Sequence, residues 1–105
     1  MDHAAEENLA PHIVALVDAE VAAHQGHPAT LADFLAHRVK RPRPVTVQFS
    51  GGIFQTCWTV TRSDGDYQVL YLPSAGYFSL CVGSDFGPLD IGVHGSAIQC
   101  FSAVV

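Results

Sequence analysis

The chain predicts an α+β fold in which two N-terminal helices pack on one face of an antiparallel β-meander of five to six strands. Three observations carry this expectation. Apolar residues recur at helical spacing before residue 40, and apolar and polar residues alternate from Val45 onward. Gly51-Gly52, Asp64-Gly65 and Pro73-Ser74-Ala75-Gly76 then punctuate the alternation as turns. A length of 105 residues fits a single domain, 1–105, divided into a helical segment 6–39, an extended connector 40–44 and a sheet 45–105.

The first helix is expected over about residues 6–25. Ile13, Val14, Leu16, Val17 and Val21 form its apolar side, Pro11 suits a first turn, and Gly26 with Pro28 stops it. Thr30 reads as the N-cap of a second, short helix over about 31–39, with Leu31, Phe34 and Leu35 on its buried side. Arg41-Pro42-Arg43-Pro44 cannot continue a helix, because each proline lacks an N–H and drives its predecessor extended.

A two-residue turn at Gly51-Gly52 pairs Phe49 with Phe54, Val47 with Thr56 and Val45 with Trp58. A two-residue loop at Asp64-Gly65 sets Trp58 against Tyr71 and Val60 against Val69. The third turn sets Leu72 against Tyr77, Tyr71 against Phe78, Val69 against Leu80 and Tyr67 against Val82. In this register Val45, Val47, Phe49, Phe54, Trp58 and Val60 share the helix-facing side. The other side carries Thr46, Gln48, Gln55, Cys57, Leu70, Leu72, Tyr77, Ser79 and Cys81, a mixed face expected to stand open to solvent or to a partner. Residues 83–88 read as a loop, 89–93 as a fifth strand, His94-Gly95 as a turn and 97–104 as a last strand that places Cys100 in the core.

Composition narrows the function classes. Apolar residues make up 49% and charged residues only 14%, which argues for a packed core and a surface suited to a partner. The formal net charge of −5 disfavours nucleic acid, whose non-specific binding depends on Lys and Arg neutralising phosphates. No apolar run approaches the roughly 20 residues of a membrane helix. The acidic start Met1-Asp2-His3-Ala4-Ala5-Glu6-Glu7 lacks the positive charge of a signal peptide, so the expected compartment is cytoplasmic. Three cysteines without paired spacing agree with reduced thiols.

Each chemical motif gives way to a plainer reading. His24-Gln25-Gly26-His27 straddles a helix stop, so it lacks the fixed spacing of paired metal ligands. Cys57, Cys81 and Cys100 fall on separate strands and read as small apolar filler. Ser84 or Ser96, His94 and Asp90 have the residue types of a hydrolytic triad. An uninterrupted strand would hold Asp90 and His94 about 13 Å apart, too far for a hydrogen bond. Asp85-Phe86-Gly87 matches a kinase motif in letters only, and Gly51-Gly52 precedes no helix as a phosphate loop would. No catalytic residue, metal site or cofactor is read.

The leading expectation is a non-enzymatic interaction domain, either a homodimer or an inhibitor-like or accessory subunit, whose partner is another protein or a second copy. Gln48, Gln55, Leu70, Leu72 and Tyr77 on the mixed face, with Arg38, Lys40, Arg41 and Arg43, are its candidate contacts. Those four cations fall within residues 38–43 and are four of the five Lys and Arg in the chain. One alternative is a small-ligand protein or enzyme with a pocket between helices and sheet, lined by Trp58, Tyr67, Tyr71 and Arg62. A weaker one is binding of nucleic acid or an acidic partner through the basic connector.

Overall fold

The computed structural model describes residues 8–63 and 66–103. The expected start of the first helix, the Asp64-Gly65 turn and the end of the last expected strand lie outside the described residues.

Helix α1 spans Ala10–Ala23, with Pro11 in the first turn, where its missing N–H costs nothing. The helix stops at His24, whose backbone turns extended. Helix α2 spans Pro28–His37, earlier than expected. Its cap is His27 rather than Thr30: the ring Nδ1 accepts from Ala29 N at 3.1 Å. Pro28 therefore does not merely stop α1. Its fixed φ starts α2.

Five strands follow: β1 Pro44–Phe49, β2 Ile53–Thr59, β3 Tyr67–Leu72, β4 Tyr77–Ser84 and β5 Gly87–Gly95. Successive strands pair antiparallel, and a parallel bridge from Gln48 to Leu89 joins β1 to β5 and closes the sheet into a barrel. The expected open, purely antiparallel sheet is thus corrected. A meander with an odd number of strands can close only by making one parallel pair, so the sheet is mixed.

The β2–β3 and β3–β4 registers are those expected, with Trp58 opposite Tyr71 and Leu72 opposite Tyr77. The first hairpin is not. Its connection is a three-residue 3-10 turn, Ser50–Gly52, with Gly51 and Gly52 both at positive φ. Phe49 therefore meets Ile53, Val47 meets Gln55 and Val45 meets Cys57. This one-residue slip turns Val45, Val47 and Phe49 away from Phe54 and Trp58 and into the barrel.

Two cores result. Inside the barrel, Val47, Cys57, Leu70, Leu72 and Cys81 are buried together, with Val45, Phe49 and Tyr77 packed at their margin. Outside it, Ile13, Val17 and Phe34 of the helices cover Val60, Val69, Tyr71, Phe78 and Leu80. The mixed face is therefore not open: Leu70 is 0% and Leu72 3% exposed. Closure supplies the cover that a partner was expected to provide.

The last expected strand is instead helix α3, Ala97–Ser102. Ser96 and Gln99 form a reciprocal capping box, and the Glu20 carboxylate of α1 accepts from Ala97 N at 2.9 Å and Ile98 N at 3.1 Å. Cys100 belongs to the outer core, as expected, but from a helix. No helix among the described residues is long and apolar enough to cross a membrane.

Candidate functional site: a basic cleft at the connector

Proline placement builds the site. Pro42 is buried while Arg41 and Arg43 on either side are exposed, so the connector turns its charges outward. Backbone bonds pin it to the strand beyond: Val39 N donates to Val60 O at 2.9 Å, Thr59 N to Arg43 O at 2.8 Å and Arg62 N to His37 O at 2.8 Å. Arg43 N adds a bond to Thr59 Oγ1 at 2.9 Å. These bonds bring Arg62 alongside residues 40–43.

The result is an open cleft of about 610 Å³ lined by Val39, Lys40, Arg41, Arg43, Thr59, Arg62, Ser63 and Gln68. Four of the five Lys and Arg residues of the chain meet there. The fifth, Arg38, is engaged elsewhere, 2.7 Å from the Asp18 carboxylate and donating to Val14 O at 3.3 Å. Arg62 donates to the Ala36 carbonyl near the end of α2, where the helix dipole favours a cation. The side chains of Lys40, Arg41 and Arg43 have no ion-pair or hydrogen-bond partner among the described residues. Three cations without a counter-charge among the described residues thus project from a chain of net charge −5. The same three line a second cleft of about 490 Å³ against Asn8, Pro11 and Val14 of the α1 end.

No known family model matches the chain. No curated protein or solved structure matches it either.

The other expected site residues scatter. Gln48 is half-buried on the outside of the barrel between Phe54 and Leu89, and Gln55 accepts from Ser74 Oγ at 2.8 Å. Tyr71 is buried in the outer core with Trp58 packed beside it, whereas Tyr67 is exposed. None of these three aromatics lines the clefts at the connector. His24 and His27 flank a different cleft of about 450 Å³ between the helices, together with Glu20 and Gln99. No group of three or more His, Cys, Asp or Glu able to hold a metal occurs among the described residues.

One contact overturns the spacing argument. His94 Nε2 lies 2.9 Å from Asp90 Oδ1, although the two are four residues apart. Register slips in β5, where Cys81 meets Asp90 but Leu80 meets Val93, so Ile91 and Gly92 bulge out and the strand shortens. Gly92 takes φ +82 to allow it. Asp90 also accepts from the buried Ser79 hydroxyl and from Gly92 N at 3.3 Å, and the Tyr77 ring stacks on His94 at 4.3 Å. Asp90 Oδ1 takes both the hydroxyl and the imidazole, and no hydrogen bond joins Ser79 to His94. In a hydrolytic triad the histidine takes the middle place, and this order cannot activate Ser79. The network ties β4 to β5.

The three thiols are buried and free. Burial, with Cys81 and Asp90 nearby, pushes the Cys57 thiol up to about 12. Burial raises Cys81 and Cys100 to about 11 each. Such thiols stay protonated near neutral pH and are poor nucleophiles.

Proposed function

We propose that this protein is a small non-enzymatic interaction domain that docks an acidic segment of another protein in the cleft at its helix–sheet connector. The observation that carries this reading is the convergence of Lys40, Arg41, Arg43 and Arg62 on one concavity. Guanidinium groups present planar pairs of donors that match carboxylates, and Thr59, Ser63 and Gln68 add neutral polar atoms between the cations. Among the described residues the lining holds no carboxylate, thiol or imidazole, and its cations and neutral polar groups are suited to binding and orientation. The rest of the molecule carries the negative charge, which repels an extended polyanion such as a duplex but tolerates a short acidic peptide confined to the cleft.

A backbone amide NMR titration with a short Glu-rich peptide tests the reading. Shifts concentrated at residues 39–43, 59–63 and 68, absent with a Gln-substituted peptide, are the expected result. Shifts spread over the barrel, or none, contradict it. A duplex DNA of equal charge that displaces the peptide at lower concentration favours a nucleic-acid ligand instead.

A further inference from the structure

We infer that the acidic segment crosses the connector, with its carboxylates against Lys40, Arg41 and Arg43 and an aliphatic side chain beyond them, seated against Pro11 and Val14. The inference rests on the docking of an acidic segment proposed above and adds what that segment must carry. Its basis is that two concavities share one cationic wall. Lys40, Arg41 and Arg43 line the cleft of about 610 Å³ that reaches Thr59 and Gln68, and also the cleft of about 490 Å³ that reaches the start of α1. The far walls differ. Across the first cleft stand Thr59, Arg62, Ser63 and Gln68, whose polar groups suit carboxylate oxygens. Across the second stand Ala10, Pro11 and Val14, with Asn8 as the one polar side chain among the described residues of that wall. Pro11 has no N–H, and Asn8 Oδ1 already accepts from Ala10 N at 3.0 Å.

Charge complementarity fixes the acidic part of the occupant. Neither lining holds a carboxylate among the described residues, so the three cations face both concavities without a counter-charge. A wholly apolar segment would cover those cations and give them no partner. Desolvation fixes the other part. A carboxylate pressed on the α1 wall would give up water for a surface with one polar side chain. An aliphatic side chain loses nothing there and takes apolar surface out of water. Pro11 is exposed and Val14 half-buried, so the wall is within reach of a ligand. An extended segment advances about 3.3 Å per residue, so it crosses the connector in a few residues. The aliphatic side chain then lies about three positions from the nearest carboxylate. Carboxylates alone satisfy one cleft, and carboxylates followed by leucine, isoleucine or valine satisfy both.

The test is fluorescence anisotropy with labelled peptides of equal length and charge. One carries a Glu run flanked by serines; two others carry a leucine about three positions before or after the run. One leucine peptide is expected to bind roughly fivefold or more tightly than the serine peptide. Pro11→Ser/Val14→Thr should cut that gain to less than about twofold and leave the affinity for the serine peptide unchanged. Val14→Ala shrinks the same wall with a stronger helix former, and serves should the double variant fold poorly. Leucine and serine peptides that bind equally overturn the inference and leave the acidic reading of the first cleft standing. A leucine gain that survives the wall variants places the side chain elsewhere and also overturns it. Binding of none of the three peptides at low salt overturns the acidic reading and the inference with it.

Discussion

Leu70→Ala tests the closed barrel. Leu70 lies on β3 with no exposed surface, among Val47, Cys57, Leu72 and Cys81. On an open sheet whose second face meets solvent, truncating it would cost less than about 0.5 kcal/mol. Inside a closed barrel the substitution removes buried methyl groups and leaves a cavity that the hydrogen-bonded strands cannot collapse around. Leu→Ala changes at such sites cost about 2–5 kcal/mol. A domain of this size has roughly 5–15 kcal/mol in total, so the loss removes a large share of it. In urea, with a slope of about 1–3 kcal/mol per molar, the midpoint should fall by at least roughly 0.7 M. Ile53→Ala at the exposed tip is the internal control, with a shift within about 0.5 kcal/mol. A Leu70→Ala midpoint indistinguishable from that of Ile53→Ala would refute closure.

Asp90→Ala should cost about 1–3 kcal/mol by chemical denaturation, because it strands the buried Ser79 hydroxyl. A double-mutant cycle with Ser79→Ala should show strong coupling, and additivity of the two changes would contradict the network. His27→Ala removes the α2 cap and should lower stability by about 0.5–2 kcal/mol, with His27→Asp restoring much of it. The thiols predict an alkaline effect. Their folded values are raised, so the stabilisation they contribute is full below the ordinary thiol value of 9.0 and is lost as pH climbs toward about 11–12. Denaturation midpoints should therefore fall above pH 9. Native protein at pH 8 should leave all three cysteines unlabelled by a thiol reagent that modifies them once unfolded, and rapid native labelling would contradict their burial.

The sequence made parts of this fold legible for identifiable reasons. The β3–β4 turn admitted one register, and Tyr71, Val69 and Leu80 fell on one face under it. Gly51-Gly52 did not discriminate, because two glycines serve a two-residue turn and a three-residue 3-10 turn equally well. Helix α3 carried its own signal, Ser96 followed three residues later by Gln99. The alternation of Ile98 and Cys100 outweighed it, and six residues are too few to show a helical period. Barrel closure depends on curvature and on the bulge at Gly92, neither of which periodicity reports. The mixed composition of the Leu70–Leu72–Tyr77 face was nonetheless informative, since the inside of a small barrel has to hold small and polar side chains beside large ones. The cations of residues 40–43 stood out as a run. Their junction with Arg62 needed the pairing of the connector with the end of the first hairpin, and running that pairing backward past Val45 points to it.

Calorimetric titration of a short Glu-rich peptide into the wild type and into Arg41→Ala/Arg43→Ala, at low and at high salt, tests the central claim most directly. Each exposed charge pair is worth about 0.2–1 kcal/mol, so losing both arginines should weaken binding roughly 2–30-fold at low salt. The gap should shrink as salt screens it. A peptide that binds both proteins with equal affinity, or binds the wild type more tightly as salt rises, would contradict the basic cleft as the docking site.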